Sequence, residues 1–121
     1  MLHLSVGCRY YLYRANTDMR KGFDSLCGII SSQMKENALG GAVFIFFNKK
    51  RNQVKLLLWE GDGFAMYYKR LEQGTYEVPT AGDNNTTLSI SSEQLQLILQ
   101  GISLKSVRRR KRYQHTTGSG G

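Results

Sequence analysis

Cysteine is scarce in this chain: Cys8 and Cys27 are the only two in 121 residues, set 19 positions apart with no metal-ligand spacing around either. A disulfide scaffold or a zinc module is therefore not the organising principle, and two reduced thiols are expected. Long apolar runs are also missing, which excludes a membrane-spanning helix read from sequence. The opening MLHLSVGCRYY has no charged region followed by an apolar one, so it does not read as a signal peptide. These absences predict a cytoplasmic protein with no membrane partner. The two histidines, His3 and His115, have no nameable partners and read as incidental. Acid is thin as well: nine Asp and Glu in all, and none after Glu93.

What is present is positive charge, unevenly placed. Seventeen Lys and Arg give a formal net charge of +8. Lys105, Arg108, Arg109, Arg110, Lys111 and Arg112 put six of them within eight residues. The rest of the chain holds 11 basic against nine acidic residues, so the body is nearly balanced and the tail is the polycation. The length suits one domain with a core of its own. The boundary falls at Leu104: residues 1–104 read as a folded body, and residues 105–121 as an arginine-rich tail expected to be disordered. The closing GSGG resembles a linker and carries no functional argument.

Periodicity organises the body. Residues 9–14 (RYYLYR) are β-prone. Asn16-Thr17-Asp18 then offers side-chain oxygens to cap a helix. Met19, Phe23, Leu26, Ile30 and Met34 follow at helical spacing, and Gly40-Gly41 ends that element. Residues 42–48 and 54–60 read as strands flanking a tip, Lys49-Lys50-Arg51-Asn52-Gln53. Gly61-Asp62-Gly63 reads as a second turn, 64–71 as a third strand, and Tyr76-Glu77-Val78 as a short fourth. These strands are apolar on both faces for part of their length, which predicts at least one central strand. Residues 80–87 read as a polar loop. Ser91 or Ser92 caps a second helix that buries Leu95, Ile98 and Leu99 and stops at Gly101. The expected class is α+β: a small antiparallel meander packed on a helix, with a second short helix and the basic tail.

Several groups are candidates for function. The six tail cations suit phosphate neutralisation with counterion release, and arginine suits bidentate phosphate contacts. Tyr113 is placed to stack on an exposed base. The alternatives for such a tail are a solvated segment or an acidic protein partner. Lys49, Lys50 and Arg51 sit where a hairpin tip projects toward a groove or backbone, although charged tips also serve solubility. Arg20 and Lys21 stand in the first turn of the expected helix, against its macrodipole. They imply either pairing with Asp24 or a phosphate held near the helix start. Lys69 and Arg70, with Lys55, border an aromatic-rich sheet, which is either core or a stacking platform for single strands. Glu60 and Asp62 are the acids spaced most like a metal site, but glycines around an acid are what a tight turn needs. Nine scattered acids do not suggest a two-metal nuclease centre, so no catalytic residue, metal or cofactor is expected.

Three segments together resemble one family. YLYRANTDMRKGFDSL, VFIFFNKKRNQVKLLLWEGDGFAMYYKRLEQGTY and SSEQLQLILQGI are similar, in that order, to the TnpB-type accessory proteins of the insertion-sequence-66 family of bacterial transposons. The resemblance covers roughly residues 2–104. It implies an element-encoded helper that works beside a separate, larger transposase, distinct from the RNA-guided nucleases that share the TnpB name. It brings no catalytic residues with it. The expected partners are DNA, as element ends or target, and the cognate transposase; oligomeric state is not legible. The competing expectation is an adaptor that docks the transposase without touching DNA. Sequence-independent DNA binding through tail and tip is the leading reading.

Overall fold

Five consecutive apolar residues, Val43 to Phe47, are all buried, which requires both faces of their strand to be covered. In the computed structural model, which describes residues 8–79 and 85–100, that is the arrangement found. The elements run β1 (Tyr10–Tyr13), α1 (Phe23–Ser32), β2 (Val43–Phe47), β3 (Gln53–Trp59), β4 (Phe64–Arg70), β5 (Thr87–Ile90) and α2 (Ser92–Gln100). The strands form one mixed sheet in the order β4-β3-β2-β1-β5. The class is α+β, as expected, and β2–β3–β4 is the expected antiparallel meander.

Two pairings extend that meander. β1 lies parallel to β2, a geometry that needs a crossover, and α1 supplies it. β5 then pairs antiparallel with β1, Tyr10 opposite Ile90 and Tyr13 opposite Thr87. The sheet divides the core in two. Leu12, Val43, Ile45, Phe47, Val54 and Leu56 face α2 and its Leu95 and Ile98. Phe44, Phe46 and Leu57 face α1 and its Leu26 and Ile30. Full burial of side chains this size contributes about 1.5–3 kcal/mol each. Cys8 packs with the first group and Cys27 with the second, so the free thiols lie on opposite faces.

The elements depart from the sequence reading at identifiable places. Helix α1 begins at Phe23, not Met19, and its N-cap is Gly22 with no side-chain cap. Asp18 does not cap it; its Oδ1 accepts the Arg20 backbone N–H at 2.9 Å, closing a local Asx turn. The helix also ends early, because Lys35 takes a left-handed backbone (φ 58) and turns the chain away, while Met34 stays in the core. Tyr76-Glu77-Val78 is not a strand. Tyr76 is instead buried against Phe47, ring centroids 5.4 Å apart, and its N–H donates to the Arg51 carbonyl at 2.7 Å. Of the loop read at 80–87, residues 80–84 lie outside the described residues, and Thr87 opens β5, which continues to Ile90. At α2 the cap is Ser91: its Oγ accepts the Gln94 N–H at 3.1 Å, and Gln94 Oε1 accepts the Ser91 N–H at 2.8 Å. That reciprocal pair is a capping box. The expected stop at Gly101 lies outside the described residues. No helix among the described residues is long and apolar enough to cross a membrane.

A cationic pole and its cleft

The turn between β2 and β3 is built by one side chain. Asn48 Oδ1 accepts the N–H groups of Asn52 and Gln53 at 3.0 and 2.9 Å, and its Nδ2 donates to Asn52 Oδ1 at 2.6 Å. These bonds add to the backbone pair Asn48 N–H to Gln53 carbonyl at 3.3 Å, so the tip is held without help from its lysines. Lys49 and Lys50 are exposed. Arg51 does not project with them. It sits at φ 60, is half-buried, and burial pushes its guanidinium pKa down from the ordinary value.

A second segment is docked beside this tip. The Thr17 N–H donates to the carbonyl of Phe47 at 2.9 Å, seating the loop after β1 on the end of β2. Lys55, on β3, donates through Nζ to the carbonyls of Met19 and Lys21 at 2.7 and 2.9 Å. The same ammonium lies 5.4 Å from the centre of the Tyr68 ring. Lys55 is thus a clamp between sheet and loop. Arg20 pairs with Asp18 rather than Asp24: Nη2 to Oδ2 is 2.7 Å and Nε to Oδ1 is 3.0 Å. The hydrogen bonds from Arg20 hold the Asp18 carboxyl well below the usual carboxylate range. Arg20 and Lys21 precede the helix, so the expected conflict with its dipole does not arise.

β4 completes the cluster. Its last residues, Tyr68, Lys69 and Arg70, stand opposite Lys55, Val54 and Gln53, next to the tip. Arg70 lies 3.9 Å from Glu72, an exposed and loose pairing. Arg20, Lys21, Lys49, Lys50, Arg51, Lys69 and Arg70 therefore converge at one end of the sheet, although three separate segments supply them. Between loop and tip lies a cleft of about 550 Å³, lined by Thr17, Asp18, Met19, Arg20, Asn48, Lys49, Lys50, Gln53 and Tyr68. Thr17 is buried, and its hydroxyl has no hydrogen-bond partner.

Other sequence candidates are placed differently. The six tail cations and Tyr113 lie outside the described residues. Glu60 and Asp62 occupy the β3–β4 turn, at the far end of β3 from the tip; Gly61 takes φ 98 there and the Glu60 N–H bonds the Gly63 carbonyl at 2.9 Å. Among the described residues no group of three or more His, Cys, Asp and Glu side chains forms a metal-sized cluster. The aromatic-rich sheet is mostly core: Phe44, Phe46 and Phe47 are buried, and Tyr68 and Phe23 are the large aromatics left exposed among the described residues. Sequence reasoning passed over Asn48 and Gln53. An Asn opening a charged turn between two strands is the signal that identifies the first, since its side chain can close an Asx turn.

The fold and this pole define a small α+β protein with a polarised, cation-rich end. Residues 8–109 match the family described as IS66 Orf2 like protein, and the chain belongs to that family. The match runs past Leu104 to take in Lys105, Arg108 and Arg109. Two curated relatives come from Sinorhizobium fredii (strain NBRC 101917 / NGR234). Uncharacterized protein y4hO is 32% identical over 102 residues, covering 84% of this chain and 87% of the relative. Uncharacterized protein y4jC is 26% identical over 110 residues, covering 91% and 92%. No solved structure matches. Membership of this family makes the chain an insertion-sequence-associated accessory protein.

Proposed function

We propose that the protein is a non-catalytic accessory factor in transposition that binds DNA largely without regard to sequence and assists a separate transposase. The observation that carries this is the convergence of Arg20, Lys21, Lys49, Lys50, Lys69 and Arg70 on one end of the sheet. Phosphate binding by such a surface is electrostatic, releases counterions, and requires no base contact. The six tail cations would add reach and affinity, with the body setting orientation. The work would take place in the bacterial cytoplasm, at element ends or target DNA. The test is a salt series on duplex binding, comparing the intact chain, a chain ending at Leu104, and a Lys49→Gln/Lys50→Gln variant of each. Weak, salt-insensitive binding by every form would shift the function to an adaptor that docks the transposase without DNA.

A further inference from the structure

The cationic pole is not flat: a cleft runs between its loop and its tip. Its volume of about 550 Å³ is far larger than one phosphate requires, and it opens broadly to solvent. Its walls carry complementary chemistry. Lys49 and Lys50 are exposed ammonium groups at a tip fixed by Asn48. Arg20 commits Nε and Nη2 to Asp18, which orients the guanidinium and leaves Nη1 uncommitted. Asp18 also lines the cleft, but its charge is engaged by that arginine. On the other side is an aromatic ring: Tyr68, 50% exposed, with Lys55 over it and its own hydroxyl donating to Gln53. Cations beside a half-exposed ring match a phosphate joined to a flat aromatic group.

We propose that this cleft holds one unpaired nucleotide at a DNA end, its phosphate between Lys49, Lys50 and Arg20 and its base against Tyr68. The proposal rests on the DNA-binding reading above and gives it a substrate class. Paired bases within a duplex are stacked and cannot offer a face to Tyr68, whereas an overhanging nucleotide can. The protein would then recognise ends rather than continuous duplex, without reading their sequence.

The experiment uses the full chain and two duplexes with equal phosphate counts, one blunt and one ending in a two-nucleotide overhang, followed by fluorescence anisotropy. Because the tail contributes to both, the ratio of the two affinities isolates the cleft. Wild type should favour the overhang about tenfold, the typical worth of stacking one base. Tyr68→Ala should abolish that preference, bringing the ratio of overhang to blunt affinity to about one. Tyr68→Phe, which loses the bond to Gln53 but keeps the ring, should retain it. Deoxyadenosine monophosphate should compete weakly, and only against the overhang. Equal affinity of wild type for both duplexes overturns the cleft assignment while leaving general DNA binding intact. Equal weakening of both duplexes by Tyr68→Ala does the same. Tighter binding of the mononucleotide than of the overhang assigns the cleft to a free nucleotide and overturns a DNA-end site. Absence of binding to either duplex refutes the DNA reading itself.

Discussion

Replacing Lys49 and Lys50 together by glutamine removes two charges from the pole without disturbing what shapes it. The tip is closed by the Asn48 amide and by backbone bonds to Asn48 and Asn52, none of which involves a lysine ammonium. Each phosphate contact contributes about −0.9 to the slope of log K against log salt concentration. Six tail cations in full contact give a slope of about −5 by that rule. Lys21, Lys49, Lys50 and Lys69 are exposed, and full contact by all four adds about −4. Arg20 and Arg70 are left out because Asp18 and Glu72 already partly neutralise them. The intact chain should approach about −9, and the double variant about −7. In a chain ending at Leu104 the corresponding values are about −4 and −2. A fourfold rise in salt should therefore narrow the affinity gap between each parent and its variant about tenfold. Anisotropy on element-end and scrambled duplexes measures the slopes, with circular dichroism confirming the fold. Identical slopes for parent and variant in the shortened chain would refute contact by the tip. A slope lost only on shortening would leave the tail as the whole anchor.

Three further outcomes test the architecture. Asn48→Ala removes the acceptor for two backbone N–H groups, so it should cost roughly 1–3 kcal/mol in urea unfolding and weaken DNA binding by loosening the tip. Ile45→Ala empties a fully buried position on the central strand, and a loss of about 2–5 kcal/mol is expected; a loss below 1 would argue against a sheet covered on both faces. Asp18 should titrate below 3.8 by carboxyl NMR and move back toward that value in Arg20→Gln. Because its folded pKa is lowered, the linked stabilisation is present above the ordinary value and is lost as pH falls through the depressed one. Exposure of the pair keeps that contribution small, so the titration, not unfolding, is the measurement that decides.

Local signals in the sequence were read well where one element sufficed. Alternation and turn residues located β1 to β4 within about two residues, and the Ser91 cap announced α2. The misreadings share a cause in long-range packing. The helical spacing from Met19 continues through a loop because Met19 also packs toward the α1 side of the core, although Lys55 holds its carbonyl outside any helix. The reading of 80–87 as a loop overlaps β5 at Thr87, and no strand is read at 88–90; only the free edge of β1 makes that half-polar stretch a strand. The parallel pairing of β1 with β2 depends on the path of α1 across the sheet, from Phe64 beside Phe23 to Thr87 bonded at Met34. No short window contains that information.

The same distinction explains why the body's modest net charge conceals a cation-rich end. Composition counts 11 basic and nine acidic residues outside the tail and returns near neutrality. Topology gathers many of the cations, although Asp18 and Glu72 stand beside Arg20 and Arg70 at the same end. The β2–β3 tip and the end of β4 bring Lys49, Lys50, Lys69 and Arg70 to one end, and the loop after β1 adds Arg20 and Lys21. The β3–β4 turn carries Glu60 and Asp62 to the other end of β3, about 20 Å away for a strand of this length. That separation exceeds the Debye length at physiological salt, so the acidic turn does little to screen the cationic pole. An acid-to-amide change at Glu60 and Asp62 should accordingly leave duplex affinity nearly unchanged, whereas the lysine changes at the tip should not.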